Sequence, residues 1–144
     1  MRFNYYIFIG FYIKYMTGGF MKILVVGGGA REHAIGEARL KNKKVSEIFF
    51  APGNAGTCRI GTNINIKAED IDSLLDFAYK NSIDFTVVGP EDPLCLGIVD
   101  TFEAHGLSIF GPTKAAAILE GSKHFAKELM VENIITTEEY PKSD

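Results

Sequence analysis

Cysteine is scarce in this chain: there are two, Cys58 and Cys95, and no C-x-x-C pair. A disulfide framework and a cysteine-rich zinc site are therefore excluded, and the count fits a reducing compartment. The three histidines fall in different segments, so a local His-rich metal cluster has no support. Basic charge is not in excess either. Fifteen Lys and Arg stand against eighteen Asp and Glu, for a net charge of -3 and a pI near 5.6. Nothing in that balance draws the chain to nucleic acid or to an anionic membrane. A P-loop, G-x-x-x-x-G-K-[ST], is absent, as are internal repeats and, after residue 20, low-complexity stretches.

A membrane span is also missing. Residues 1–20 (MRFNYYIFIGFYIKYMTGGF) contain eleven Phe, Tyr or Ile and no acidic residue, but Lys14 breaks the apolar run. What remains, Phe3 to Ile13, is too short to cross a bilayer, which takes about 20 apolar residues. A secretory signal is the sharper reading, yet no A-x-A-like cleavage site follows. The other reading is an extension upstream of a domain that starts at Met21, with Met1 a misassigned start. Such a stretch is an aggregation hazard if translated.

What is present is a domain's worth of ordinary globular sequence, 144 residues with 47% apolar and 23% charged. Lys22 to Gly27 (KILVVG) is a continuous apolar run ending in glycine, the pattern of a strand buried on both faces. Residues 30–41 read as a helix, 46–51 as a strand closed by Pro52-Gly53-Asn54, and 63–66 as a short strand. Within 68–82 the apolar positions 71, 74, 75 and 78 form a helical stripe. A strand over 84–89, a helix over 96–105 capped by Gly106, and a strand over 107–110 follow. Thr113 is the expected N-cap of a helix at 114–119, and a last helix covers about 122–132. This alternation predicts an α/β fold, a Rossmann-like open parallel sheet with helices on both faces.

Ligands of such sheets bind beyond the carboxyl ends of the strands. The segments that leave the strands are Gly27-Gly28-Gly29-Ala30-Arg31-Glu32-His33, Pro52-Gly53-Asn54-Ala55-Gly56, Gly89-Pro90-Glu91-Asp92-Pro93 and Gly111-Pro112-Thr113. Their Gly and Pro content lets the backbone turn tightly beside a ligand, although sheets also need turns for their own sake. The first segment begins as a dinucleotide fingerprint, G-x-G-x-x-G/A, but Glu32 stands where the last Gly or Ala belongs. Ala51-Pro52 takes the place of the ribose-binding acid. Tight NAD binding is therefore not expected.

A glycine turn at a helix N-terminus still suits a phosphate or carboxylate. Arg31 either adds a charge-assisted contact there or makes a surface ion pair, for instance with Glu32. Glu91, flanked by prolines, is either a recognition group for hydroxyl or amine, or a solvated turn residue. His33 either caps or orients the first loop or lies on the helix surface. Cys58 and Cys95 read as small structural residues.

KILVVGGGAREHA, APGNAGT, VVGPEDPL, GLSIFGPT and AAILEGSK, in this order, resemble the N-terminal part of the phosphoribosylamine–glycine ligase (glycinamide ribonucleotide synthetase) family, from Met21 to about Tyr140. Ala30 and the segment GEARLKNK depart from many relatives without touching those motifs. The resemblance implies a cytoplasmic ATP-grasp ligase of purine synthesis, joining glycine to 5-phosphoribosylamine through glycyl phosphate with ATP and Mg²⁺ (or Mn²⁺). It divides the chain into an apolar extension (1–20), a pre-ATP-grasp Rossmann-like domain (21–121) and the truncated start of an ATP-grasp domain (122–144). Most ATP and metal ligands would belong to further domains of the same enzyme, so the chain alone is expected to be inactive. The positions implied for the phosphoribosyl substrate are Gly28, Gly29, Arg31, Asn54 and Glu91, with Glu91 on ribose hydroxyls. Lys123 is implied near the nucleotide, and no catalytic residue is assigned. The alternative is a stand-alone Rossmann-like module for a nucleotide or sugar phosphate; a non-functional gene remnant is the blander option.

Overall fold

The computed structural model describes residues 19–121. Five strands, β1 (Met21–Gly27), β2 (Val45–Pro52), β3 (Thr62–Asn63), β4 (Phe85–Val88) and β5 (Ile109–Phe110), form one sheet in the order β3-β2-β1-β4-β5. Every pairing is parallel, with Val25 opposite Phe50 on one side of β1 and Val87 on the other. The helices are α1 (Ala30–Leu40), α2 (Ile71–Lys80), α3 (Glu91–Leu96), α4 (Ile98–Ala104) and α5 (Lys114–Gly121), with a 3₁₀ turn at Thr57–Arg59.

β1 explains why both faces are covered. Successive side chains of a strand point to opposite faces. Leu24 and Val26 enter one core with Leu74 and Ala78 of α2, Leu94 of α3, Ile98, Val99 and Phe102 of α4, and Ala117 of α5. Val25 enters the other, with Ile48, Phe50, Ile60 and Ile35 of α1. Leu24, Val25 and Val26 are all fully buried, as a central strand of a two-sided sheet requires. The expected α/β Rossmann-like architecture is the one observed.

Local signals set the helix ends. The Asp70 side chain accepts the Ser73 N–H at 3.2 Å and starts α2. After α4, Gly106 takes φ +75° while Leu107 N–H donates to Phe102 O at 2.9 Å, a left-handed stop of the kind glycine permits. Thr113 holds the predicted cap position, since its carbonyl accepts the first helical bond from Ala117. The side chain that caps α5 is a different one, Asp100 of α4, which accepts the Lys114 N–H at 2.7 Å.

The strands expected over 63–66 and 107–110 are shorter, Thr62–Asn63 and Ile109–Phe110, and the helix expected over about 122–132 lies outside the described residues; two further elements differ in kind. The segment after β4 is not a loop, because α3 begins at Glu91 and Pro93 sits within its first turn. Proline is tolerated there, where its missing N–H has no helical partner anyway. The helix expected over 96–105 is cut at Gly97, whose φ of +95° ends α3 and starts α4.

Candidate functional site at the strand carboxyl ends

The strand order reverses at β1: the chain steps outward through β2 and β3, then returns to lay β4 on the other side. In sheets of this order the ligand crevice lies between the exits of β1 and β4. At its floor Gly89 N–H donates to Val26 O at 3.0 Å, and on the opposite side Gly53 N–H donates to Gly27 O at 3.1 Å. The three exits are thus held edge to edge. Gly27 has φ +123° and Gly53 has φ +73°, and the Ala51–Pro52 peptide between them is cis. At Gly28 glycine is needed for closeness, since a Cβ there would lie 2.6 Å from Gly53 O.

Asn54 ties the first two exits together. Its Nδ2 donates to Gly28 O at 2.8 Å and, more weakly, to Gly29 O at 3.4 Å. Its Oδ1 accepts the N–H groups of Gly56 at 2.7 Å and Thr57 at 3.0 Å. An amide has two donor and two acceptor positions, and all four are engaged. Below it, the fully buried Thr57 hydroxyl meets Asn54 N–H at 2.7 Å, Asn54 O at 2.9 Å and Asn63 Oδ1 at 2.7 Å. Asn63 Nδ2 returns to Asn54 O at 2.8 Å. The Asn-x-x-Thr spacing is the sequence trace of this turn, and neither Thr57 nor Asn63 stands out without the fold.

Arg31 is exposed and crosses the crevice, with Nη1 donating to Gly89 O at 2.8 Å. Among the described residues it makes no ion pair with Glu32, so the surface-pair alternative is replaced by a backbone contact. Glu91 lies two residues beyond that carbonyl, exposed, as the first residue of α3. Gly28, Gly29, Arg31, Asn54 and Glu91 therefore gather at one edge of the sheet. Lys123 falls outside the described residues.

Glu32, which sequence reasoning treats as a failed glycine position or a surface partner for Arg31, sits between the β1 and β4 exits. It is 5% exposed, and its Oε2 accepts the Gly29 N–H at 2.5 Å. Its carboxylate lies against Gly27, Gly29 and Gly89. The only trace of this in the sequence is an acidic residue three places after Gly29, the spacing of a reciprocal helix-start contact. His33 sits beside the second loop, since a Cβ on Gly56 would meet its Cε1 at 3.2 Å, and its Nε2 is 3.9 Å from Glu37. Cys95 packs partly buried against the core, whereas Cys58 is exposed with Sγ 3.0 Å from Ala55 O, contrary to a structural packing role.

Among the described residues no three His, Cys, Asp or Glu side chains assemble as a metal site. No described helix is long and apolar enough to cross a membrane. The geometry offers a glycine turn at a helix start, an arginine and the exposed Glu91 carboxylate at one mouth, a set suited to a small phosphorylated, hydroxyl-bearing ligand.

Comparison with known proteins agrees on what carries this arrangement. Phosphoribosylamine–glycine ligase of Caldanaerobacter subterraneus subsp. tengcongensis is 52% identical over 124 residues, 86% of this chain and 30% of that protein. The ligase of the same name from Escherichia coli K12 is 52% identical over 122 residues, 83% of this chain and 28% of its own length. The chain thus spans under a third of the length of these curated relatives. Among solved structures, RSP, a Rex-family repressor, is similar at 14% identity with a TM-score of 0.46, covering 85% of this chain and 68% of that one. The family model described as phosphoribosylglycinamide synthetase, N domain, matches residues 21–120, the whole sheet and all its exit loops. By that match and by its relatives, this chain belongs to the phosphoribosylglycinamide synthetase N-domain family.

Proposed function

We propose that this domain holds the phosphoribosyl substrate of a phosphoribosylamine–glycine ligase, the enzyme of purine biosynthesis that joins glycine to 5-phosphoribosylamine. The observation that carries the reading is the convergence of Arg31 and Glu91 on the Gly89 turn, opposite the Gly28–Gly29 turn. A phosphorylated sugar has two recognisable ends. Arg31 supplies a cation with several N–H donors for the phosphate. Glu91 is an acceptor-only group for ribose hydroxyls. The Gly28–Gly29 backbone, free of side chains, lets the sugar approach the sheet edge.

Asn54 enters this reading as a positioning residue rather than a ligand contact, because its amide is spent on the two loops. Glycine activation by ATP, with Mg²⁺ or Mn²⁺, belongs in this proposal to an ATP-grasp part of the ligase that includes Lys123. No step is assigned to the domain itself beyond binding and orientation, and the cytoplasm is the proposed setting.

Calorimetric titration of the full chain with ribose 5-phosphate tests the proposal. Binding is expected, with a loss of about ten-fold or more in both Arg31→Ala and Glu91→Ala, the scale of one charge-assisted hydrogen bond. No binding by the unsubstituted chain, or unchanged affinity in both variants, would sink it.

A further inference from the structure

The sheet order places its crevice where a dinucleotide's pyrophosphate lies in folds of this kind, over the N-terminus of the helix after β1. In this chain that seat already holds an anion. Glu32 reaches back from the third position of α1 to the Gly29 N–H, and Gly29 O accepts the first helical bond from His33 at 3.2 Å. Such a contact by itself is an ordinary helix start. Two features take it further. The side chain is 95% buried beneath the β4 exit rather than lying on the helix surface. Its Oε1 stands over Gly89 so closely that a Cβ there would be 1.7 Å away.

The charge is also unshared. Among the described residues no Lys, Arg or His forms an ion pair with Glu32, and the neighbouring Arg31 is turned to Gly89 O at 2.8 Å. We infer that Glu32 is a specificity-determining residue, a resident carboxylate that occupies the pyrophosphate seat and closes the crevice to dinucleotides. A pyrophosphate entering it would meet a fixed negative charge at contact distance and a helix start whose Gly29 N–H is already taken. A single phosphate at the outer mouth, on Arg31, avoids both. The inference deepens the phosphoribosyl reading by stating what the same mouth rejects.

The test is calorimetric titration of the full 144-residue chain and its Glu32→Gln and Glu32→Asp variants with ADP-ribose, a ligand that carries the pyrophosphate. Gln keeps the shape and the acceptor for Gly29 but removes the charge; Asp keeps the charge. ADP-ribose affinity should rise about ten-fold or more in Glu32→Gln and stay at the unsubstituted level in Glu32→Asp. Equal affinity in Glu32→Gln and the unsubstituted chain overturns the inference. The readout is independent of ribose 5-phosphate, so failure of that ligand to bind would remove the phosphoribosyl reading alone. Should Glu32→Gln not fold, the unsubstituted chain still decides: inorganic pyrophosphate should leave the Gly29 and Gly89 amide resonances unmoved, and saturable shifts there would refute the resident-anion reading.

Discussion

Replacing Gly89 by alanine adds a single methyl group, yet the structure predicts a large cost. The new Cβ would lie 1.7 Å from Glu32 Oε1, 2.5 Å from Cδ and 2.9 Å from Cγ. The backbone has little room to yield, because Gly89 N–H is bonded to Val26 O and Gly89 O to Arg31. Glu32 must therefore move. It then gives up a hydrogen bond to a charged group, about 1.5–3 kcal/mol, or overpacks the crevice at about 1–3 kcal/mol. A destabilisation of about 3 kcal/mol is expected, which in a domain of about 100 residues lowers Tm by roughly 12–24 °C. The partner variant, Glu32→Ala, should cost about 1.5–3 kcal/mol for the loss of the Gly29 N–H bond to a charged group. In the double variant the clash is gone and the new methyl group enters vacated space. The cycle should thus show a favourable coupling of about 2 kcal/mol or more. Urea unfolding followed by circular dichroism measures all four proteins. An alanine at position 89 that costs less than about 1 kcal/mol, or a cycle that is additive, would refute the packing argument.

Three further outcomes follow from other parts of the molecule. Asn54→Asp keeps the shape and Oδ1 but loses the donors to Gly28 O and Gly29 O, so it should destabilise by about 2 kcal/mol or more and speed amide exchange in the first loop. Phe102→Ala empties a fully buried site in the larger core, and a loss of about 3–5 kcal/mol is expected in urea unfolding. By contrast, Asp76→Ala removes an ion pair to Lys80 whose side chains are 60% and 71% exposed, and thermal melts should place it within about 0.5 kcal/mol of the parent.

The parts of the fold that the sequence made readable are those whose patterns have one physical meaning. β1 is an apolar run buried on both faces, and the stripe at 71, 74, 75 and 78 matches a helix that buries Leu74 and Ala78. The break at Gly97 was hidden because Leu96, Ile98, Val99 and Phe102 continue a helical spacing across it, while the left-handed φ is a property of the packed backbone. Pro90 and Pro93 suggested a loop, since proline in a first helical turn and proline in a turn look alike in sequence. The placement of Gly28, Gly29, Arg31, Asn54 and Glu91 at one edge of the sheet was legible because strand exits collect them. The burial of Glu32 was not, because it depends on Gly89, 57 residues further on, being laid beside β1. Asn54 was visible as a residue, but its engagement by both loops required the loops to be in place.

The strand order also bears on how the chain acquires its shape during synthesis. β1 is the centre of the sheet and is made first among the strands, yet one of its two partners, β4, comes much later, as the contact from Lys22 N–H to the Asp84 side chain shows with its separation of 62 residues. At ribosomal speeds of about 5–20 residues per second, that separation amounts to roughly 3–12 s. Throughout that interval the emerging β1–α1–β2 unit presents one edge of its most apolar strand unpaired. The exposed edge of the nascent domain is covered only when Phe85–Val88 has left the ribosome.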